Sequence, residues 1–191
     1  GIKVIKDLRV DSLPAGRHHF YFEAGRQNTG QKIHVPVLVL KGQKIGKKLM
    51  LTAAVHGDEL NGIQVIHRLF NQLEPEQIQG TLIGVPGVNQ PGLLANNRHF
   101  VGSSGGGHMA DPNRLFPGAQ TGGGAASLYI GSIWEGVLRY NADIAIDLHT
   151  QSHGAAYPLF VFADFGNSIA QQMAYGLMPD VIKNDPGQSG T

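Results

Sequence analysis

The amino-acid sequence predicts an α/β domain with a mostly parallel or mixed sheet and helices on both faces. Three observations lead there. Short, continuously apolar runs recur along the chain, segments with helical periodicity separate them, and neither a repeat nor a linker divides the 191 residues. That length is in the usual range for one domain built around one hydrophobic core. Strands that alternate with helices form parallel sheets, because each crossover helix returns the chain beside its previous strand in the same direction.

The elements follow in order. Residues Lys32 to Lys41 (KIHVPVLVLK) alternate and then become continuously apolar, which predicts a strand, and Gly42 to Gly46 predict a turn. Leu49 to Val55 (LMLTAAV) has no polar face, the pattern of a strand buried on both sides. From Asn61, a candidate N-cap, the period changes: Ile63, Ile66, Phe70 and Leu73 form a helical stripe that ends at Glu74-Pro75. Gly80 to Val85 predicts a third strand. Ile130, Ile133, Trp134, Val137 and Leu138 mark a second helix, with Glu135 and Arg139 paired on its outer side. Ala142 to Leu148 (ADIAIDL) predicts another buried strand, Pro158 to Phe162 a further strand, and Ser168 to Leu177 a helix. Between Val101 and Ala125 the chain is too rich in glycine for a helix or strand interior, which predicts a long loop. That loop lacks the Gly-Lys-Ser/Thr ending of a phosphate cradle.

Composition narrows the chemistry. Fifteen Lys and Arg face fourteen Asp and Glu, so there is no electrostatic case for a nucleic-acid or membrane partner. No apolar run approaches the roughly 20 residues that span a bilayer. Gly1 to Val10 has no apolar region of the signal-peptide kind, so the default expectation is the cytoplasm. With no cysteine, any metal must be held by His, Asp or Glu.

Ligands of open α/β sheets sit beyond the carboxyl ends of the strands, and two predicted buried strands run directly into histidines. LMLTAAV leads into His56-Gly57-Asp58-Glu59, and ADIAIDL leads into His149. In an HxxE turn the two side chains lie about one helical turn apart, so His56 and Glu59 can converge, with His149 arriving from a neighbouring strand. Two histidines and one carboxylate form a catalytic zinc set that leaves a position open for water. His153 and His108 are competing ligand candidates, but no strand fixes either. Asp147 points to the same side as His149 on a strand, where it can orient a ligand imidazole, meet an active-site group directly, or simply cap a neighbouring helix. Asp58 is expected to face solvent. Arg114 offers a planar guanidinium suited to bidentate carboxylate binding, and the adjacent Asn113 can add a hydrogen bond.

The segments LTAAVHGDELNG, DPNRLFPG and DIAIDLHT, in this order over Leu49 to Pro158, resemble the succinylglutamate desuccinylase and aspartoacylase family, a branch of the zinc carboxypeptidase fold. The resemblance implies Zn2+ on His56, Glu59 and His149, and a substrate carboxylate on Asn113 and Arg114. It also implies an arginine that polarises the scissile carbonyl, for which Arg98 is the candidate. Here the segment from Arg98 to Asn113 is longer and richer in glycine than the family pattern. The implied activity is zinc-dependent hydrolysis of the amide of an N-acyl amino acid or similar small carboxylate-bearing substrate. A metallocarboxypeptidase and a non-catalytic zinc- or small-molecule-binding module are the alternatives. The family places its general base, a glutamate, after the DLH strand, yet Thr150 to Thr191 contains no glutamate. The expectation is therefore that residues 1–191 form a single zinc-binding catalytic domain, incomplete at its C-terminal end, with the base beyond Thr191.

Overall fold

The computed structural model describes residues 1–102, 109–151 and 155–187. The strands are β1 (Lys3–Ile5), β2 (Gly16–Arg26), β3 (Lys32–Lys41), β4 (Lys44–Ala53), β5 (Gln79–Val85), β6 (Ile144–Leu148), β7 (Phe160–Ala163) and β8 (Val181–Asn184). The helices are α1 (Asn61–Gln72), α2 (Gln90–Leu94), α3 (Ala125–Ile133) and α4 (Ser168–Gly176). Six strands form the central sheet in the order β1-β2-β3-β5-β4-β6, and β7 and β8 form a separate parallel pair.

The central sheet is mixed. β1 with β2, β4 with β5 and β4 with β6 run parallel, while β2 with β3 and β3 with β5 run antiparallel. β2 and β3 are joined by a hairpin closed where Gln27 N–H donates to Gln31 O at 2.8 Å, and such a short connection can only produce antiparallel neighbours. β2 was not among the expected elements. Its run of arginine, histidines and glutamate alternates with apolar residues, and one of its faces is half-exposed.

Strand parity sorts the core into two layers. On one face Val35, Val37 and Val39 of β3, Met50 of β4 and Ile83 and Val85 of β5 pack with Ile130 and Ile133 of α3. On the other, Leu38, Leu40, Leu51, Ala53 and Leu82 pack with Ile66 and Phe70 of α1. Helices on both faces match the expectation. The helix expected at Ile130 begins earlier, at Ala125, and passes into a single π-type turn at Trp134–Leu138.

Two strands differ in setting from the sequence expectation. β6 lies at the edge of the sheet and alternates half-buried with exposed residues, so it is not covered on both faces. The PLFVF run joins β8 rather than the central sheet, and leaves Leu159 and Phe162 exposed.

The start of α1 is what positions the site. Asn61 is its first helical residue rather than its cap, and Leu60 occupies the capping position without a side-chain hydrogen bond. Gly62 sits where a Cβ would come within 2.8 Å of Leu148 Cβ and 2.9 Å of Ala53 Cβ. Only a glycine lets the first turn of α1 settle this closely on the carboxyl ends of β4 and β6. At its other end, Arg17 from β2 donates to the carbonyls of Phe70 and Leu73, which the helix itself leaves unpaired.

Candidate metal centre

β4 and β6 are parallel neighbours in a register that pairs Ala53 with Leu148. The chain therefore leaves both strands at the same level of the sheet, and the residues that follow converge. After β4, Ala54 adopts a left-handed backbone (φ 54°), which turns the chain sharply ahead of His56. Glu59 N–H donates to His56 O at 3.2 Å, closing the turn that leads into α1. Gly57 sits where any Cβ would run into the backbone of Gly92, Leu93 and Asn97, and its N–H donates to Arg98 O at 3.3 Å. The turn bearing His56 is thus wedged against α2 and the segment after it.

His56, Glu59 and His149 each offer a ligand atom, and these atoms lie within 4.8 Å of one another. His56 Nδ1 is 2.9 Å from Glu59 Oε1, and His149 Nδ1 is 2.9 Å from Glu59 Oε2. The other nitrogen of each ring meets a second carboxylate: His56 Nε2 is 3.0 Å from Asp111 Oδ1, and His149 Nε2 is 2.6 Å from Asp147 Oδ2. A ring nitrogen facing a carboxylate oxygen this closely needs either a proton or a shared cation between them. Carboxylates on both Nε2 atoms leave both Nδ1 lone pairs free to face a metal together with Glu59. This is the pattern by which outer carboxylates fix ligand imidazoles. The donor set fits a divalent ion such as zinc.

The electrostatics follow from burial. Glu59 is 2% exposed, which pushes its carboxyl pKa up. Hydrogen bonds from His149, from His56 and from the Thr150 N–H outweigh this and hold it far below its ordinary value. Burial pushes His149 down, but its bonds to Asp147 and then Glu59 prevail and raise it to about 10. Burial raises Asp111 too, yet the hydrogen bonds from His56 and the Asn113 N–H, with the charge of Arg98, leave it lowered.

Of the remaining expected residues, Arg98 touches this centre directly. Arg98 Nη1 donates to Glu59 Oε1 at 3.1 Å, and Nη2 lies 4.0 Å from Asp111 Oδ2, so Arg98 is beside the centre. Asn113 and Arg114 form a 3-10 turn that begins at Pro112, and Asn113 N–H donates to Asp111 Oδ1 at 2.9 Å. Arg114 is exposed, and its Nη1 donates to Asn113 O at 2.8 Å. Asp147 meets His149, its Oδ2 lying 2.6 Å from Nε2. Asp58 is half-buried rather than solvent-facing. His108 and His153 lie outside the described residues.

No strand end or period marks Asp111 as a partner of His56 in the sequence, because it sits on an irregular segment. One local signal was available: an aspartate before Pro112 is a strong cap for the turn bearing Asn113 and Arg114. An antiparallel bridge in which Phe100 N–H donates to Ala110 O at 2.9 Å joins the segments that carry Arg98 and Asp111.

Fold and site together define the class: an α/β domain with a metallo-carboxypeptidase-like fold, whose two histidines and one glutamate could hold a metal. The fold is shared with a metallo-carboxypeptidase from Burkholderia cenocepacia, at 17% identity and a TM-score of 0.60 over 94% of this chain and 51% of that one. Residues 45–179 match the succinylglutamate desuccinylase/aspartoacylase catalytic domain, and the chain belongs to that family. It resembles a succinylglutamate desuccinylase/aspartoacylase from Rhodobacter sphaeroides, at 28% identity and a TM-score of 0.70 over 89% of this chain and 50% of that one. Over 131 residues it is 34% identical to the N-alpha-acetyl-L-2,4-diaminobutyric acid deacetylase of Halomonas elongata, covering 69% of this chain and 35% of that protein. The chain thus spans about a third of this curated relative and about half of these solved structures.

Proposed function

We propose that this chain is the metal-binding part of a zinc-dependent hydrolase that cleaves the amide bond of an N-acyl amino acid or a similar small carboxylate-bearing substrate. The observation that carries the reading is the paired geometry of His56 and His149, each with Nδ1 on Glu59 and Nε2 on its own carboxylate. Zinc bound there supplies a Lewis acid and lowers the pKa of its water towards about 7. His56, Glu59 and His149 hold the ion, while Asp111 and Asp147 keep the two imidazoles in place. Asn113 and Arg114 bind the substrate carboxylate, and Arg98, beside Glu59, polarises the scissile carbonyl. The deacetylase activity named for the Halomonas elongata relative supports an acylated amino acid as the substrate class.

Proton transfer needs a base within about 2.6–3.2 Å of the attacking water. The three carboxylates that follow His149 are each engaged by nearby backbone. Asp164 accepts from Gly166 N–H, Asp180 from Leu159 N–H and Asp185 from Gly187 N–H, at 2.8, 2.8 and 3.0 Å. The base is therefore not assigned to any of these three carboxylates.

The test uses the full-length protein loaded with zinc. N-acyl amino acids should turn over, and Arg114→Ala should raise KM by about 10-fold or more, as losing a charge-assisted hydrogen bond of about 1.5–3 kcal/mol requires. Unchanged kinetics in Arg114→Ala would remove Arg114 from the site. Turnover of short peptides with no activity on acyl amino acids would favour the carboxypeptidase reading, which the shared fold supports.

A further inference from the structure

Asp147 and Asp111 play the same part towards their histidines, but they are held differently. Asp111 receives the N–H of Asn113 from its own 3-10 turn, so backbone fixes its carboxylate. Among the described residues no such backbone bond is seen at Asp147, which sits on edge strand β6 with a side chain 39% exposed. Its Oδ2 meets His149 Nε2, and its Oδ1 accepts the hydroxyl of Thr52 at 2.6 Å. Thr52 is on β4 directly opposite Asp147 in the parallel register. Parity puts both on the sheet face away from α1, since Leu51, Ala53, Ile146 and Leu148 line the α1 face.

The terminal torsion of an aspartate is soft and populates a broad range of angles. A carboxylate anchored at one oxygen can therefore swing and take its histidine with it. Threonine is stiff at χ1, so its hydroxyl offers a fixed second anchor. We propose that Thr52 is a positioning residue for the metal centre: its hydroxyl sets the plane of Asp147, which aims His149 Nδ1 at the ion beside Glu59. This rests on the reading of His56, Glu59 and His149 as metal ligands. The bland alternative is a cross-strand contact that supports the sheet and leaves the histidine unaffected.

The experiment measures zinc affinity of the full-length protein by competition with a chromophoric chelator. Losing an outer partner of a ligand histidine weakens metal binding about 10- to 100-fold, which is the loss expected for Asp147→Asn. Thr52→Val keeps the shape and removes the hydroxyl, and acting one step further out it should weaken zinc about 3- to 10-fold. Thr52→Ser should restore affinity, and Thr52→Val should add nothing in the Asp147→Asn background, since the two act through one path. Thr52→Val binding zinc like the wild type, Thr52→Ser as weak as Thr52→Val, or an undiminished Thr52→Val effect beside Asp147→Asn would each overturn the proposal. Should Thr52→Val not fold, Thr52→Ala against Thr52→Ser makes the same comparison. His149→Ala separates the two levels of inference. If that variant keeps full zinc occupancy, the ligand assignment itself falls, whereas loss of zinc there with no effect at Thr52 rejects Thr52 alone.

Discussion

His56 and His149 each place Nδ1 against Glu59 and Nε2 against a second carboxylate, but the His56 side chain is 3% exposed and that of His149 is 31% exposed. The His56 arm is held by backbone: a left-handed residue at Ala54, a glycine pressed against α2, and an aspartate locked by its own turn. The His149 arm leaves an edge strand and is held through the side chains of Asp147 and Thr52. One candidate ligand set is therefore supported in two ways. Changes on the buried arm should appear first as lost stability, and changes on the open arm first as lost metal.

The largest effect expected from this difference is at Gly57. Gly57→Ala forces a methyl into the backbone of α2 and should cost about 3 kcal/mol or more of stability, because overpacking against main chain has little room to relax. His149→Ala, on the open arm, should abolish stoichiometric zinc while, near pH 10 where the His149 charge no longer contributes, the stability of the metal-free protein shifts by about 1 kcal/mol or less. Calorimetry and metal analysis of both variants check the pair. A His149→Ala protein as unstable as Gly57→Ala would erase the distinction between the arms.

A second effect sharpens the comparison through pH. The folded-state pKa of His149 is raised to about 10 by Asp147 and Glu59, above its ordinary value near 6.5. Its contribution to the metal-free protein is therefore fully present below pH ~6.5 and is lost as the pH rises towards 10. Glu59, held below its ordinary 4.5, contributes the opposite way, with stability present above that value and lost on acidification. Melting temperatures of the chelator-treated protein should fall between pH 6.5 and 10, and saturating zinc should remove most of that slope by taking the proton's place. A slope that persists unchanged in His149→Asn would assign it to another group.

The smallest effect belongs to Ala54. A left-handed alanine is strained by about 1–2 kcal/mol, and glycine relieves that strain at the cost of a looser unfolded chain. Ala54→Gly should raise stability by about 0.5–1 kcal/mol in urea unfolding with zinc affinity unchanged. A destabilised Ala54→Gly would show that the methyl packs usefully in a position 0% exposed.

The parts of this centre that could be read from sequence are those set by strand ends. The runs before His56 and His149 are apolar enough to announce strands, and ligands at the carboxyl ends of parallel strands follow from that. The same reasoning located α1, whose stripe of Ile63, Ile66, Phe70 and Leu73 has helical period. Asp111 could not be reached this way, because its contact with His56 depends on the path of an irregular loop rather than on any period. β2 hid behind its polar, alternating composition, and β8 behind its four-residue length next to Pro179. The separate pairing of β7 with β8 was also beyond reach, since an apolar run announces a strand without naming its neighbour.

The bridge between Phe100 and Ala110 fastens the two sides of the glycine-rich loop just outside the centre. Arg98 lies on one side of this clasp and Asp111 on the other, and both take their place at the site from the fastened ends. Inside such a clasp, chain length is nearly free: each doubling of a loop adds only about 0.6 kcal/mol of closure entropy. A longer or shorter connection between Phe100 and Ala110 would thus leave the charges around Glu59 at their present spacing.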